Sequence, residues 1–167
     1  SVKMLNANNT AGSVIEANAT YTTDGNFIAS LTNVDRKTIL YGYNPEVGVL
    51  AWIQGLGDTE NTRVQLGYDG MYRITGVSKA VTGFTGGLSR AYVEYSYEDD
   101  NLKTVSHSNT ASAKTKYTFD YAAFDALSTV YVGDKQLIHY EYDNDSHSYN
   151  LLREIYPNGG FKGYSYD

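Results

Sequence analysis

The chain has 167 residues, a formal net charge of −6 and no cysteine, with seventeen tyrosines against five phenylalanines and one tryptophan. This composition argues against a nucleic-acid or anionic-membrane partner. It provides no disulfides or thiolate metal ligands, and no apolar run approaches the ~20 residues of a membrane-spanning helix. So many hydroxylated rings suit a sheet surface, where hydroxyls reach water or backbone, better than a closed core.

Residues 1–18 are rich in Asn, Ala, Thr and Ser. They lack the basic start and apolar run of a secretory leader and read as a degenerate or partial repeat. From residue 19 onward a short phrase recurs: aromatic, any residue, aromatic, then an acid or amide. Its copies are Tyr95-Ser96-Tyr97-Glu98, Tyr117-Thr118-Phe119-Asp120, Tyr140-Glu141-Tyr142-Asp143 and Tyr164-Ser165-Tyr166-Asp167, with looser ones at Tyr21-Thr22-Thr23-Asp24, Tyr41-Gly42-Tyr43-Asn44 and Leu66-Gly67-Tyr68-Asp69. The closing residues lie 20, 25, 29, 22, 23 and 24 positions apart, a period that marks an array of small supersecondary units. Residues 19–167 thus hold about six repeats and the start of a seventh, and the chain reads as a piece of a longer array.

Within a repeat, Arg63 to Tyr68, Lys114 to Phe119 and Ile138 to Tyr142 alternate apolar with polar or small residues, the period of a half-buried strand. The residue between the aromatics is small or polar, so that face is wet or closely approached. The Asp, Asn or Glu that closes the phrase opens a turn by bonding backbone ahead of it, as at Asp24, Asp69 and Asp143. A second short strand follows, such as Arg73 to Val77, Leu102 to Val105 or Leu127 to Tyr131. Pro45 and Pro157 both fall at turns, where no strand has to carry them. Gly55 to Thr62 and Thr82 to Gly87 read as flexible loops between hairpins. The expectation is an all-β protein: tandem hairpins in one long, curved antiparallel sheet of about 12 to 14 strands, roughly 60 Å along the hydrogen-bonding direction.

Candidate chemistry is sparse. Asp143 to Glu154 spaces its carboxylates like a calcium loop, but Ser148 stands where glycine is required and no flanking helix is expected, so the stretch reads as an acidic hairpin turn. His107, His139 and His147 belong to no paired nucleophile–base motif. The stretch Val81 to Gly87 lacks the Gly-Lys-Ser/Thr ending of a phosphate loop. No catalytic residue, metal ligand or cofactor is expected. The aromatic set Tyr21, Tyr41, Tyr43, Tyr68, Tyr95, Tyr97, Tyr117, Phe119, Tyr140, Tyr142, Tyr164 and Tyr166 reads as the packing of the sheet itself. An alternative makes Trp52, Tyr72 and exposed members of that set stacking platforms for a carbohydrate.

Tyr-x-Tyr-Asp, a short gap with Gly or Asn, a frequent Arg and then Leu resembles the YD repeat of RHS (rearrangement-hotspot) proteins. Glu98-Asp99-Asp100-Asn101-Leu102 fits this pattern without insertion, and Asp69 to Ile74 keeps the Asp and the Arg with Ile for Leu. Asp120 to Leu127 and Asp143 to Leu151 carry longer turns, and Asn44 to Leu50 has Asn for Asp and no Arg. The resemblance implies a strip that spirals into a hollow shell around a toxin or effector segment of the same polypeptide, in a secreted or surface-attached bacterial protein. The partners it implies are other repeats of the same polypeptide and the enclosed segment. A piece of such a strip, with exposed sheet edges, is expected to self-associate.

Overall fold

The computed structural model of the chain describes residues 2–5, 14–82, 88–108, 115–143 and 149–166. They form fourteen strands and one 3-10 turn, Ala123–Asp125. The chain divides into two units, residues 1–90 and 91–167.

The first unit contains β1 (Val2–Leu5), β2 (Val14–Tyr21), β3 (Ile28–Thr32), β4 (Thr38–Tyr43), β5 (Leu50–Gln54), β6 (Val64–Tyr68) and β7 (Ile74–Thr82). Each strand pairs antiparallel with the next in chain order. The second unit is built in the same way from β8 (Leu88–Glu98), β9 (Asn101–Ser108), β10 (Thr115–Tyr121), β11 (Leu127–Val132), β12 (Lys135–Tyr142), β13 (Leu151–Ile155) and β14 (Phe161–Gly163). The all-β hairpin architecture is as the alternation foretold. Because β2 begins at Val14, the first repeat reaches back into the stretch read as a degenerate or partial repeat.

Directly opposed residues share a face, so the register separates two surfaces. One carries apolar rows: Ala19, Leu31 and Ile39, then Tyr41, Ile53 and Val64, and in the second unit Phe119, Val130 and Ile138. The other carries polar cross-strand pairs. Thr20 meets Ser30 and Ser96 meets Thr104, each with hydroxyl oxygens 2.6 Å apart, and Glu141 faces Arg153. The sheet of each unit is a single layer. Among the described residues only Ala80 and Val130 are buried apolar side chains, so most of the apolar face is half-buried at best.

One connection differs from expectation. Residues 55–62 are not a flexible linker but a pinned loop. Asp58 accepts the Gly55 N–H at 3.1 Å and the Lys79 ammonium at 3.0 Å, while its own carbonyl accepts Gln54 Nε2 at 3.1 Å. The Lys79 contact holds the Asp58 carboxyl below its usual range. The second expected loop, within 82–87, lies almost wholly outside the described residues.

Candidate functional site

The recurring element that the fold builds is a ladder of tyrosine hydroxyls. In every described repeat a register shift falls just before the second tyrosine of the structural phrase, with one extra residue on the following strand. Thus Gly42 faces Trp52 but Tyr43 faces Leu50, leaving Ala51 unpaired. The same bulge sets Tyr21 against Ile28, Tyr68 against Ile74, Tyr97 against Leu102, Tyr121 against Leu127 and Tyr142 against Leu151. A bulge of this kind bends the strand and disturbs its pairing, and here a carbonyl beside it takes an outside donor. Tyr43 donates to Ile28 O at 3.0 Å, Tyr68 to Leu50 O at 2.7 Å, Tyr121 to Leu102 O at 2.9 Å, Tyr142 to Leu127 O at 2.8 Å and Tyr166 to Leu151 O at 3.0 Å. Ile28, Leu50, Leu102, Leu127 and Leu151 each therefore face the tyrosine of their own repeat and accept from the tyrosine of the next. Burial pushes the Tyr121 and Tyr142 hydroxyl pKa values up.

The hydroxyls of Tyr41, Tyr95, Tyr117 and Tyr140 make no hydrogen bond among the described residues. Their rings lie along the apolar face. The phrase thus has two roles: its first ring packs and its second ring ties repeats together. Tyr21, at the second-ring position of the first repeat, is 61% exposed and makes no rung among the described residues. Tyr43 stacks on Phe27 with centroids 4.7 Å apart, and Tyr142 on Tyr149 at 4.9 Å.

In two repeats the phrase read from the sequence sits two residues away from the structural one. The rung of the fifth phrase is Tyr121, not Phe119, and Ala122 occupies the turn-opening position expected of Asp120. Ala122 N–H donates to Ala126 O as Asp69 N–H does to Arg73 O. Asp120 instead receives the Lys103 ammonium at 3.0 Å on the sheet face. In the first phrase the turn opens at Thr22, whose hydroxyl accepts the Phe27 N–H at 3.1 Å and donates to Asp24. Asp24 sits inside the turn, bonding Asn26. The signal that would have placed Tyr121 is the apolar residue after the turn, Leu127, rather than the acid.

Asp69, Asn44 and Asp143 do open turns. Asp69 accepts the backbone N–H groups of Met71 and Arg73, each at 2.9 Å, and the Arg73 Nε–H at 2.8 Å. Asn44 accepts Glu46 N–H, and Asp143 accepts Asn150 N–H, each at 2.9 Å. Residues 144–148 of the acidic turn, including His147, lie outside the described set. Glu154, the last carboxylate of that stretch, is engaged on both oxygens, by Tyr164 at 2.6 Å and Tyr156 at 3.0 Å. Tyr164 thus serves the last hairpin through Glu154, while Tyr166 makes the rung. His139 Nδ1 lies 2.9 Å from Thr129 Oγ1. No group of acids and imidazoles that could hold a metal occurs among the described residues.

The stacking platforms fare unequally. Trp52 is committed to packing: it lies so close over Gly42 that a Cβ there would sit 2.0 Å from Cε2, and the Arg63 guanidinium covers its ring at 4.3 Å. Tyr72, at φ 62° in the Asp69 turn, is 54% exposed.

No family model matches the chain, and no curated protein matches it. Among solved structures the chain is similar to one described as the crystal structure of TcdB2-TccC3-Cdc42, at 11% sequence identity with a TM-score of 0.46 over 84% of this chain. The chain spans 11% of the length of that solved chain.

Proposed function

We propose that the chain is a non-catalytic structural stretch of a YD-repeat array, part of the scaffold or shell of a large secreted or surface-attached bacterial RHS-type protein that encloses or presents a toxin or effector domain. Its partners are then the other repeats of its own polypeptide and the enclosed segment. The observation that carries this reading is the hydroxyl ladder: the phrase that defines the repeat is used to join one repeat to the next. The charged groups fit the same role, since Asp69, Asp58 and Glu154 are all engaged in holding turns and loops. The carbohydrate alternative loses its best platform with Trp52 covered by Arg63.

An array is stabilised by each repeat and by its contact with the neighbouring one, so it tolerates shortening from an end. Deleting residues 151–167 removes β13, β14 and the Tyr166 rung. The shortened chain is expected to remain cooperatively folded with a lower urea midpoint. Loss of all β-sheet circular dichroism in that variant would contradict the array reading.

A further inference from the structure

Because strands pair in chain order, the turns of each unit alternate between the two ends of its strands. In the first unit one end holds the turns that close β2–β3, β4–β5 and β6–β7; in the second unit one end holds those that close β8–β9, β10–β11 and β12–β13. Among the described residues every charged side chain in these turns is a carboxylate except Arg73, which is paired with Asp69. Phe124 stands out from that end of the second unit, 82% exposed, its nearest ring Tyr149, edge-on at 5.4 Å. Phe124 and Asp125 both adopt left-handed backbone, at φ 57° and 56°, a conformation that residues with a Cβ rarely adopt. The turn thus holds an aromatic ring and a carboxylate outward together. Asn101 Nδ2 donates to Asp125 Oδ1 at 2.7 Å and orients that carboxylate.

Toward the other end of its own strands the first unit opens a groove of about 750 Å³, with Leu31, Ile39, Tyr21 and Leu56 as apolar lining and Lys37 beside them. The second unit has a counterpart of about 790 Å³, lined by Leu137 and Tyr156 with Lys135 beside them. Both follow one local pattern: a lysine at the hairpin turn, an exposed aliphatic residue two positions later, and an apolar residue from the next turn. Neither lysine makes an ion pair among the described residues. A lone cation beside an apolar trench calls for a partner that offers an apolar group next to an acid, and the Phe124 turn is built that way.

We propose that the occupant of the Lys37 groove is a second copy of this chain, whose Phe124 ring seats against Leu31 and Ile39 while its Asp125 carboxylate faces the Lys37 ammonium. The Lys37 groove is the better fit because four exposed apolar side chains line it, against two in the Lys135 groove. The Phe124 turn belongs to the second unit and the groove to the first, so the contact joins unlike surfaces of the two copies. This mode is distinct from pairing of exposed sheet edges, which uses backbone rather than these side chains.

Sedimentation equilibrium of the 167-residue chain across a concentration series, at low and high salt, tests the proposal. The mean mass is expected to climb above that of the single chain with concentration and to fall when salt screens the pair. Phe124→Ala and Lys37→Glu should each weaken association by about tenfold or more. Lys135→Glu should leave it unchanged, and the double variant Lys37→Glu/Asp125→Lys, which reverses the pair, should regain it. All four sites are exposed, and unchanged circular dichroism verifies the fold of each variant. A chain that stays monomeric, or association indifferent to Phe124→Ala and Lys37→Glu, overturns the proposal.

Discussion

Gly42 shows how a single hydrogen atom in place of a side chain positions a ring. Its strand neighbour Trp52 lies directly opposite, and the indole occupies the space a Cβ would need. Arg63 then covers the indole, with its Nε buried and without a hydrogen-bond partner among the described residues, so the guanidinium is held mainly by the ring beneath it. Gly42→Ala is expected to push the indole away from Arg63 and lower stability by about 1–3 kcal/mol. Gly67→Ala is the matched control, since its Cβ would meet Thr75 Oγ1 at an ordinary 3.5 Å. It should change stability by no more than about 0.5 kcal/mol. Trp52 is the only tryptophan, so its fluorescence reports the displacement while urea melts report the loss. Equal behaviour of the two variants would mean that the ring is not seated on Gly42.

Among the elements, the hairpins hold carboxyls that make the fold acid-sensitive, Asp69 in a turn and Glu154 within β13. The Arg73 hydrogen bond is the main reason the Asp69 carboxyl is held below its usual range, and the Tyr164 hydroxyl, followed by Tyr156, does the same for Glu154. A carboxyl whose folded pKa lies below its unfolded value stabilises the fold above that unfolded value, and the contribution is lost as pH falls through the folded pKa. Thermal midpoints should therefore hold steady down to about pH 5 and fall below about pH 4, where ordinary carboxyls titrate. Glu154→Gln keeps an amide acceptor but removes the titrating group. Its midpoint should start lower at neutral pH and fall less steeply in acid than that of the parent chain. Parallel acid profiles for the two proteins would show that Glu154 does not clasp the last hairpin.

For the molecule as a whole, the period of the phrase and its alternation were enough to read strands, hairpins and the turn-opening roles of Asp69, Asn44 and Asp143, because these are local properties of a few successive residues. What was not legible depends on residues far apart in the chain. Asp58 is pinned by Lys79, two strands further on, so residues 55–62 looked like a loose linker. Asp120 drew the fifth phrase two residues early, because an acid after two aromatics imitates the motif while Ala122, which occupies the structural position, carries no signal. The bulges leave no mark in composition, yet they set each tyrosine against its Leu or Ile and place the rung acceptors. The account's central claim is that hydroxyls of the second tyrosines, not of the first, bind repeat to repeat. Its most direct test is the set of urea unfolding free energies for Tyr→Phe at Tyr43, Tyr68, Tyr121, Tyr142 and Tyr166, beside the same change at Tyr41, Tyr95, Tyr117 and Tyr140. The first set should each lose about 1 kcal/mol, the net worth of a hydrogen bond with its acceptor left unpaired, and the second set less than about 0.5 kcal/mol. Equal losses in the two sets, or no loss at Tyr121 and Tyr142, would contradict the ladder.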